Sequence, residues 1–114
     1  MLLAALASVV IASCYDGDTC RTLGGERIRL ACIDAPELQG RRANSIPAKA
    51  SRDYLRSLVL GRTVNLRRIT TDRYGRTVGE LFVGGTNIQQ QMVRSGYAAI
   101  YWKYAEQCSW TRQD

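Results

Sequence analysis

The sequence predicts a mainly β fold with α-helices, an α+β domain in which five short strands close a barrel flanked by two or more helices. Three features carry that reading. Short β-branched runs are punctuated by Asp/Gly turns early in the chain. One apolar pattern of helical period falls between the third and fourth strands, and a second, capped one follows a Gly-Gly turn. A length of 114 residues fits one domain with a modest core.

Ser8–Tyr15 holds Val9, Val10 and Ile11, whose branched side chains suit an extended backbone. Asp16-Gly17-Asp18 is turn chemistry, and Thr19–Leu23 continues as the second strand. Gly24–Glu26 turns the chain into a third strand over Arg27–Ile33. Ile28, Leu30 and Cys32 fall on one face of it, and Arg27, Arg29 and Ala31 on the other. Leu38–Pro47 is a polar loop, and Pro47 suits the first turn of a helix over Ala48–Leu60. Within that helix Ala50, Tyr54, Leu55, Leu58 and Val59 recur at helical spacing, and Gly61 ends it.

Thr63–Ile69 alternates as the fourth strand, with Val64, Leu66 and Ile69 inward. After the polar loop Thr70–Gly75, Arg76–Val83 forms the fifth. Asn87 is placed to cap a helix reaching about Ser95, with Ile88, Met92 and Val93 buried and Gly96 closing it. Tyr97–Tyr104 is aromatic-rich and either irregular or strand-like. This order suits an OB-type barrel, whose open face and loops commonly receive oligonucleotides.

Lysine and arginine number 16 against 10 acids, a net charge of +6, and all the basic residues but Lys49 and Lys103 are arginines. The arginine fork suits bidentate phosphate contacts, so a polyanionic partner is expected beside the plainer reading of a solvated basic surface. There is no histidine. Cys14, Cys20, Cys32 and Cys108 include no C-x-x-C pair, which argues against a zinc site and for two disulfides in an oxidising compartment. Four cysteines allow three connectivities and the sequence does not choose among them; strand parity points Cys20 and Cys32 inward on adjacent strands, which makes Cys20–Cys32 with Cys14–Cys108 one candidate. Cys14–Cys32 with Cys20–Cys108 is the alternative.

Residues 1–7 read as the remnant of a signal segment ahead of a single domain over 8–114, and the apolar N-terminus is too short to span a bilayer. "IASC" resembles a lipoprotein cleavage box, but cleavage at Cys14 would remove most of the first strand.

Four motifs remain: "DGDT" (Asp16–Thr19), "IRL" running into "DAPE" (Ile28–Glu37), "DRYGR" (Asp72–Arg76) and "GYAAIYWKY" (Gly96–Tyr104). In this order and at these spacings they resemble the thermonuclease family, the staphylococcal-nuclease-like domains, over roughly Val9 to Tyr104. The resemblance implies the OB barrel reached above, and a calcium-dependent nuclease acting on DNA and RNA with low sequence preference and leaving 3′-phosphates. It implies calcium held by Asp18, Asp34 and the backbone carbonyl of Ala35, where the family often has threonine. It implies Glu37 as the residue that activates water, and Arg29 and Arg76 as the phosphate clamps. Arg73 and Tyr74 would contact nucleotide phosphate, and Tyr101 or Trp102 would border the base. The resemblance also implies a further C-terminal helix, which the domain over 8–114 is expected to lack. A secreted or periplasmic monomer follows from the same resemblance and from the cysteines.

The residue types suit that chemistry. Calcium takes six to eight oxygens, which two aspartates, a carbonyl, waters and a phosphate oxygen can supply. Without histidine, a carboxylate is the natural general base near neutral pH. A cation and two guanidiniums offset the charge that develops when water attacks a phosphodiester. Pro36 stiffens the chain ahead of Glu37. The plainer readings make Asp16 a turn former, Asp18 and Asp34 structural partners of Arg29 and Arg76, and Glu37 a solvated acid. They make Arg41, Arg42, Arg67, Arg68 and Arg94 solvated surface, and Tyr54 and Trp110 packing residues. Two other functions stay open: a non-catalytic single-stranded nucleic-acid-binding OB module, and a structural interaction domain.

Overall fold

One parallel pairing closes the barrel. In the computed structural model, which describes residues 6–38 and 45–112, strand β1 (Ala7–Asp16) pairs antiparallel with β2 (Thr19–Thr22) on one side and β5 (Thr63–Thr71) on the other. The β2 strand pairs with β3 (Arg27–Leu30), and β5 pairs with β6 (Thr77–Val83). The ring shuts where β3 runs parallel to β6 through Ile28↔Thr77, Arg29↔Val78 and Leu30↔Gly79. This is the five-stranded, OB-type α+β barrel the sequence predicts. Closure demands a close approach at Gly79, where a Cβ would lie 2.8 Å from the carbonyl oxygen of Arg67.

Inward positions of the strands supply Ile11, Cys14, Cys20, Ile28, Leu30, Val64, Leu66 and Leu81, all buried. Helix α1 (Ser45–Val59) caps one end and carries Pro47 in its first turn. Its buried stripe is Ala48, Ser51, Leu55 and Val59, whereas the expected core residue Ala50 faces solvent. A hairpin through β7 (Thr86–Asn87) leads into α2 (Ile88–Arg94), where Asn87 Oδ1 accepts from the Gln90 N–H at 3.0 Å, the cap the sequence predicts. Gln89, fully buried, donates from Nε2 to the carbonyls of Gly79 (2.9 Å) and Ala31 (3.3 Å) and accepts from Leu81 N–H (3.0 Å).

The third strand is shorter than expected. It stops at Leu30, Ala31 N–H turns to the Gly79 carbonyl, and Cys32 adopts φ 71°. That left-handed turn redirects the chain into β4 (Ile33–Asp34), which pairs with β8 (Ala99–Ile100). Two short 3-10 segments follow, Trp102–Gln107 and Ser109–Arg112. Residues 1–5 of the expected leader, and the loop arginines Arg41 and Arg42, lie outside the described residues. Ala7, counted with that leader, already opens β1.

Both candidate disulfide pairings are overturned. The bonds are Cys14–Cys20 and Cys32–Cys108. Cys14 and Cys20 are direct partners across β1–β2, while Cys20 faces Ile28, not Cys32, across β2–β3. Cys32 lies past the end of that ladder, in the turn, where it meets Cys108 between the 3-10 segments at a Cα–Cα distance of 6.3 Å.

The bonds close loops of very different length, with sequence separations of 6 and 76. In the chain-entropy picture, Cys32→Ala with Cys108→Ala is expected to cost about 4 kcal/mol, and the Cys14/Cys20 double replacement about 2 kcal/mol. Urea unfolding of the two variants measures both. Equal losses would mean that native contacts, not loop closure, set the contribution.

Candidate functional site

The "DGDT" turn is built by its own side chains and by its neighbours. Asp16 Oδ1 accepts from the Asp18 N–H at 3.1 Å, the turn-forming role expected of it. Gly17 is buried because α1 leaves no room for a side chain; a Cβ there would overlap Ser51 Oγ and come 2.8 Å from Ala35 Cβ. Asp18 then ties two segments together. Its carbonyl accepts from Leu30 N–H (2.8 Å) and its Oδ2 from Ala35 N–H (2.9 Å), while Oδ1 accepts from the Thr19 hydroxyl (3.0 Å). Burial pushes the Asp18 carboxyl up to about 6. The Arg29 guanidinium draws it the other way, and Asp16 adds to the rise. Asp18 has an ion-pair partner and still titrates high because it is only 6% exposed and desolvation outweighs the attraction.

Arg29 projects from β3 between two acids. Its Nη1 lies 3.5 Å from Asp18 Oδ2, its Nη2 3.8 Å from Asp34 Oδ1, and Nη1 also donates to the Leu30 carbonyl at 2.8 Å. Asp34 sits at the end of β4 with its side chain 66% exposed. Alternation along Arg27–Leu30 puts Ile28 and Leu30 in the core and leaves Arg29 half-buried on the outside.

The opposite wall is the turn between β5 and β6. Asp72 Oδ1 accepts from the N–H groups of Tyr74 and Arg76, both at 2.9 Å, and Oδ2 accepts from Arg76 Nε at 2.7 Å. Burial pushes the Asp72 carboxyl up, but the two N–H groups and the Arg76 guanidinium outweigh it and hold it below the usual carboxylate range. The Arg73 and Arg76 guanidiniums lie 4.9 and 5.4 Å from the Tyr74 ring centroid.

A third wall comes from the C-terminal segment. Tyr101 N–H donates to the Cys32 carbonyl at 2.8 Å, and Tyr101 meets Tyr104 edge to face at 5.3 Å. Tyr101, Tyr104 and Gln107 all line the cleft; Tyr101 precedes the 3-10 segment, which is kinked at Tyr104. Trp102, the alternative to Tyr101, is 68% exposed and stands outside it.

These walls enclose a cleft of about 790 Å³. It gathers Arg29, Asp34, Glu37, Arg73, Tyr74, Arg76 and Tyr101, with Asp18 buried behind and joined through Arg29. Arg76 pairs with Asp72 rather than with Asp18 or Asp34. Lys103, Tyr104 and Gln107 line the cleft unforeseen. Arg67 and Arg68 are not free surface: Arg67 binds buried Glu80 at 2.6 Å and Arg68 binds Glu26 at 2.7 Å. Tyr54 and Trp110 pack as expected, Tyr54 stacked on Tyr97 and Trp110 donating to Glu80.

The oxygen-only acids suit a hard cation. Asp18 is a buried carboxylate short of positive charge, and Asp34 faces the same guanidinium. Among the described residues no three His, Cys, Asp or Glu side chains come together. A calcium ion here would therefore draw its remaining oxygens from backbone, water and substrate, as such ions readily do.

Barrel and cleft together define an OB-type domain with acids and arginines gathered on one side. A sequence model of the family described as "Staphylococcal nuclease homologue" matches residues 27–113, and the chain belongs to that family. It is 40% identical over 93 residues to an Escherichia coli protein named "Uncharacterized endonuclease", covering 78% of this chain and 58% of that one. It is 35% identical over 91 residues to Arabidopsis thaliana "Staphylococcal-like nuclease CAN1", covering 76% and 26%. Against "Probable endonuclease LCL3" of Komagataella phaffii it is 32% identical over 79 residues, covering 65% and 35%. The chain spans little more than half the length of the first relative and about a quarter of the plant one.

A group held below its ordinary value contributes stability above that value and loses it as pH falls. Asp72→Asn is therefore expected to lower the melting temperature at neutral pH. The gap to the parent chain should close as pH drops through the carboxylate range. A gap that is constant with pH would mean the Asp72 charge contributes nothing.

Proposed function

We propose that this domain hydrolyses phosphodiester bonds of DNA and RNA, with calcium and with little sequence preference. The observation that carries this is Arg29 straddling Asp18 and Asp34 at the rim of a cleft that also holds Glu37 and Arg76. Asp18, Asp34 and the Ala35 carbonyl would hold calcium, which when bound supplies positive charge beside the scissile phosphate. Glu37, exposed at the cleft and in no ion pair among the described residues, takes a proton from water. The water oxygen bonds to phosphorus and the ester oxygen leaves with the electron pair.

Arg29 and Arg76 hold the non-bridging oxygens as charge builds on them. Asp72 fixes the Arg76 Nε and leaves the rest of that guanidinium to meet phosphate. Arg73 and Tyr74 bind a neighbouring phosphate and Tyr101 borders the base. Backbone-directed contacts of this kind read no sequence. Two disulfides point to an oxidising compartment, and among the described residues no helix is long and apolar enough to cross a membrane. A monomer in the secreted or periplasmic space fits both.

The test is cleavage of single-stranded DNA and of RNA with calcium, then with a chelator. Activity is expected only with calcium, and Glu37→Gln should lower kcat by about 10²–10⁴-fold with binding retained. Cleavage that ignores the chelator overturns the metal dependence. Binding without cleavage by the parent chain, unchanged in Glu37→Gln, would make it a non-catalytic OB module.

A further inference from the structure

A second cationic groove is formed where β1, β2 and β3 meet α1. It measures about 390 Å³ and is lined by Tyr15, Arg21, Arg27 and Arg56, with Cys14, Cys20 and Thr19 beside them, the last donating its hydroxyl to Asp18 at 3.0 Å. Arg21 and Arg27 are direct cross-strand partners on β2–β3, both exposed. Like charges placed opposite each other in a ladder are unfavourable, and among the described residues neither has an acidic partner. The nearest candidate by sequence, Glu26, is taken: its oxygens accept from Arg68 at 2.7 and 2.9 Å and from Thr77 at 2.6 Å. Arg56 is anchored by Nε to the Cys14 carbonyl at 3.1 Å, which leaves its terminal nitrogens to the groove.

Two features fit this face to a strand of nucleic acid. The ladder slips between Cys14 and Asp16, so Tyr15 is the bulged residue and stands 58% exposed beside the arginines. An aromatic ring among cations is the recurring device for single-stranded backbone and base. The groove also connects to the cleft. Arg27 Nη2 donates to the Tyr74 carbonyl, and Tyr74 lines the cleft. Arg27 therefore stands where the two meet.

We infer that a single strand bound in the cleft continues over the Asp72–Gly75 turn into this groove, where Arg21, Arg27 and Arg56 grip a phosphate and Tyr15 stacks a base. The inference rests on the hydrolase reading for its substrate class. It adds that affinity depends on strand length. The like-charge pair is then a standing cost to the free protein that the bound phosphate offsets.

The test uses anisotropy of labelled oligothymidylates in the Glu37→Gln background, comparing a strand of about 12 nucleotides with a dinucleotide. Arg21→Glu should weaken the long strand about tenfold and the dinucleotide less than about twofold. It should also lower the log–log salt slope by about 0.7 for each phosphate no longer neutralised. Tyr15→Ala should weaken only the long strand, and Tyr15→Trp should restore it. Arg21→Glu should raise the melting temperature, because it turns a repulsion into an attraction; a merely structural Arg21 would lower it. Unchanged long-strand affinity and slope in Arg21→Glu, or equal losses on both lengths, would overturn the groove. The hydrolase reading fails separately: a parent chain with this length dependence that cuts nothing keeps the groove, and one that cuts while Arg21→Glu binds like its parent loses it.

Discussion

Asp18 is the constraint through which the cleft is assembled. A buried carboxylate must find donors, and here they come from three places: the adjoining Thr19 hydroxyl, the backbone just past β4 and the Arg29 side chain. The backbone carbonyl of the same residue holds Leu30. One residue thus fixes how β2 leaves the turn and how the chain runs from Leu30 to Ala35. The direction of Asp34 and the start of the Glu37 segment follow from that path. Gly17 belongs to the same constraint, because α1 presses against the turn too closely for any side chain. Removing the Asp18 carboxylate would strip Ala35 N–H of its acceptor and leave Arg29 only the more distant Asp34 as a counter-charge. Structure and proposed chemistry cannot be separated at this residue.

The third wall is held from two other directions. The Cys32–Cys108 bond ties the end of the 3-10 segment to the left-handed residue of the β3 exit turn. Glu80, buried in the barrel wall, receives Arg67 at 2.6 Å, Asn87 at 2.8 Å and Trp110 at 3.1 Å, and Arg67 reaches on to the Gln107 carbonyl at 2.7 Å. The charge on Glu80 is compensated on each oxygen, which is what a buried ion pair requires if it is not to destabilise. Tyr101 and Tyr104 are thus carried on a segment pinned at Cys32, Glu80 and the β4–β8 ladder. A segment so fixed presents its rings without the ordering cost a free tail would incur.

Strand order, both helices, the Asn87 cap and the closed barrel are legible in the sequence because period, turn chemistry and capping are local properties. The Asp18–Arg29–Asp34 grouping is legible from a family pattern and from the need of acids for a cation. What stays hidden is nonlocal. No alternation rule shows that Cys32 turns left-handed, so alternation carries the third strand past its true end and both disulfide schemes inherit the wrong parity. Arg67 and Arg68 look like solvent-facing charges because Glu80 and Glu26, their partners, lie 13 and 42 residues away. Lys103, Tyr104 and Gln107 escape notice because an aromatic run carries no sign of the kinked 3-10 turns it forms.

The arginines sort into two populations by what the fold gives them. Arg29, Arg67, Arg68 and Arg76 each have a carboxylate within 3.8 Å. Of these, Arg76 contacts its acid through Nε only, whereas Arg29 sets both terminal nitrogens against acids, Nη1 toward Asp18 and Nη2 toward Asp34. Arg21, Arg27 and Arg73 have no acid beside them among the described residues. Their interactions are open to screening by salt, whereas the buried Arg67–Glu80 pair is screened much less. The unpaired arginine charge is therefore divided between Arg73 in the cleft and Arg21 and Arg27 in the neighbouring groove. The chain's near-exclusive use of arginine over lysine is consistent with that division, since only a planar fork can hold a carboxylate on one edge and offer the other to phosphate.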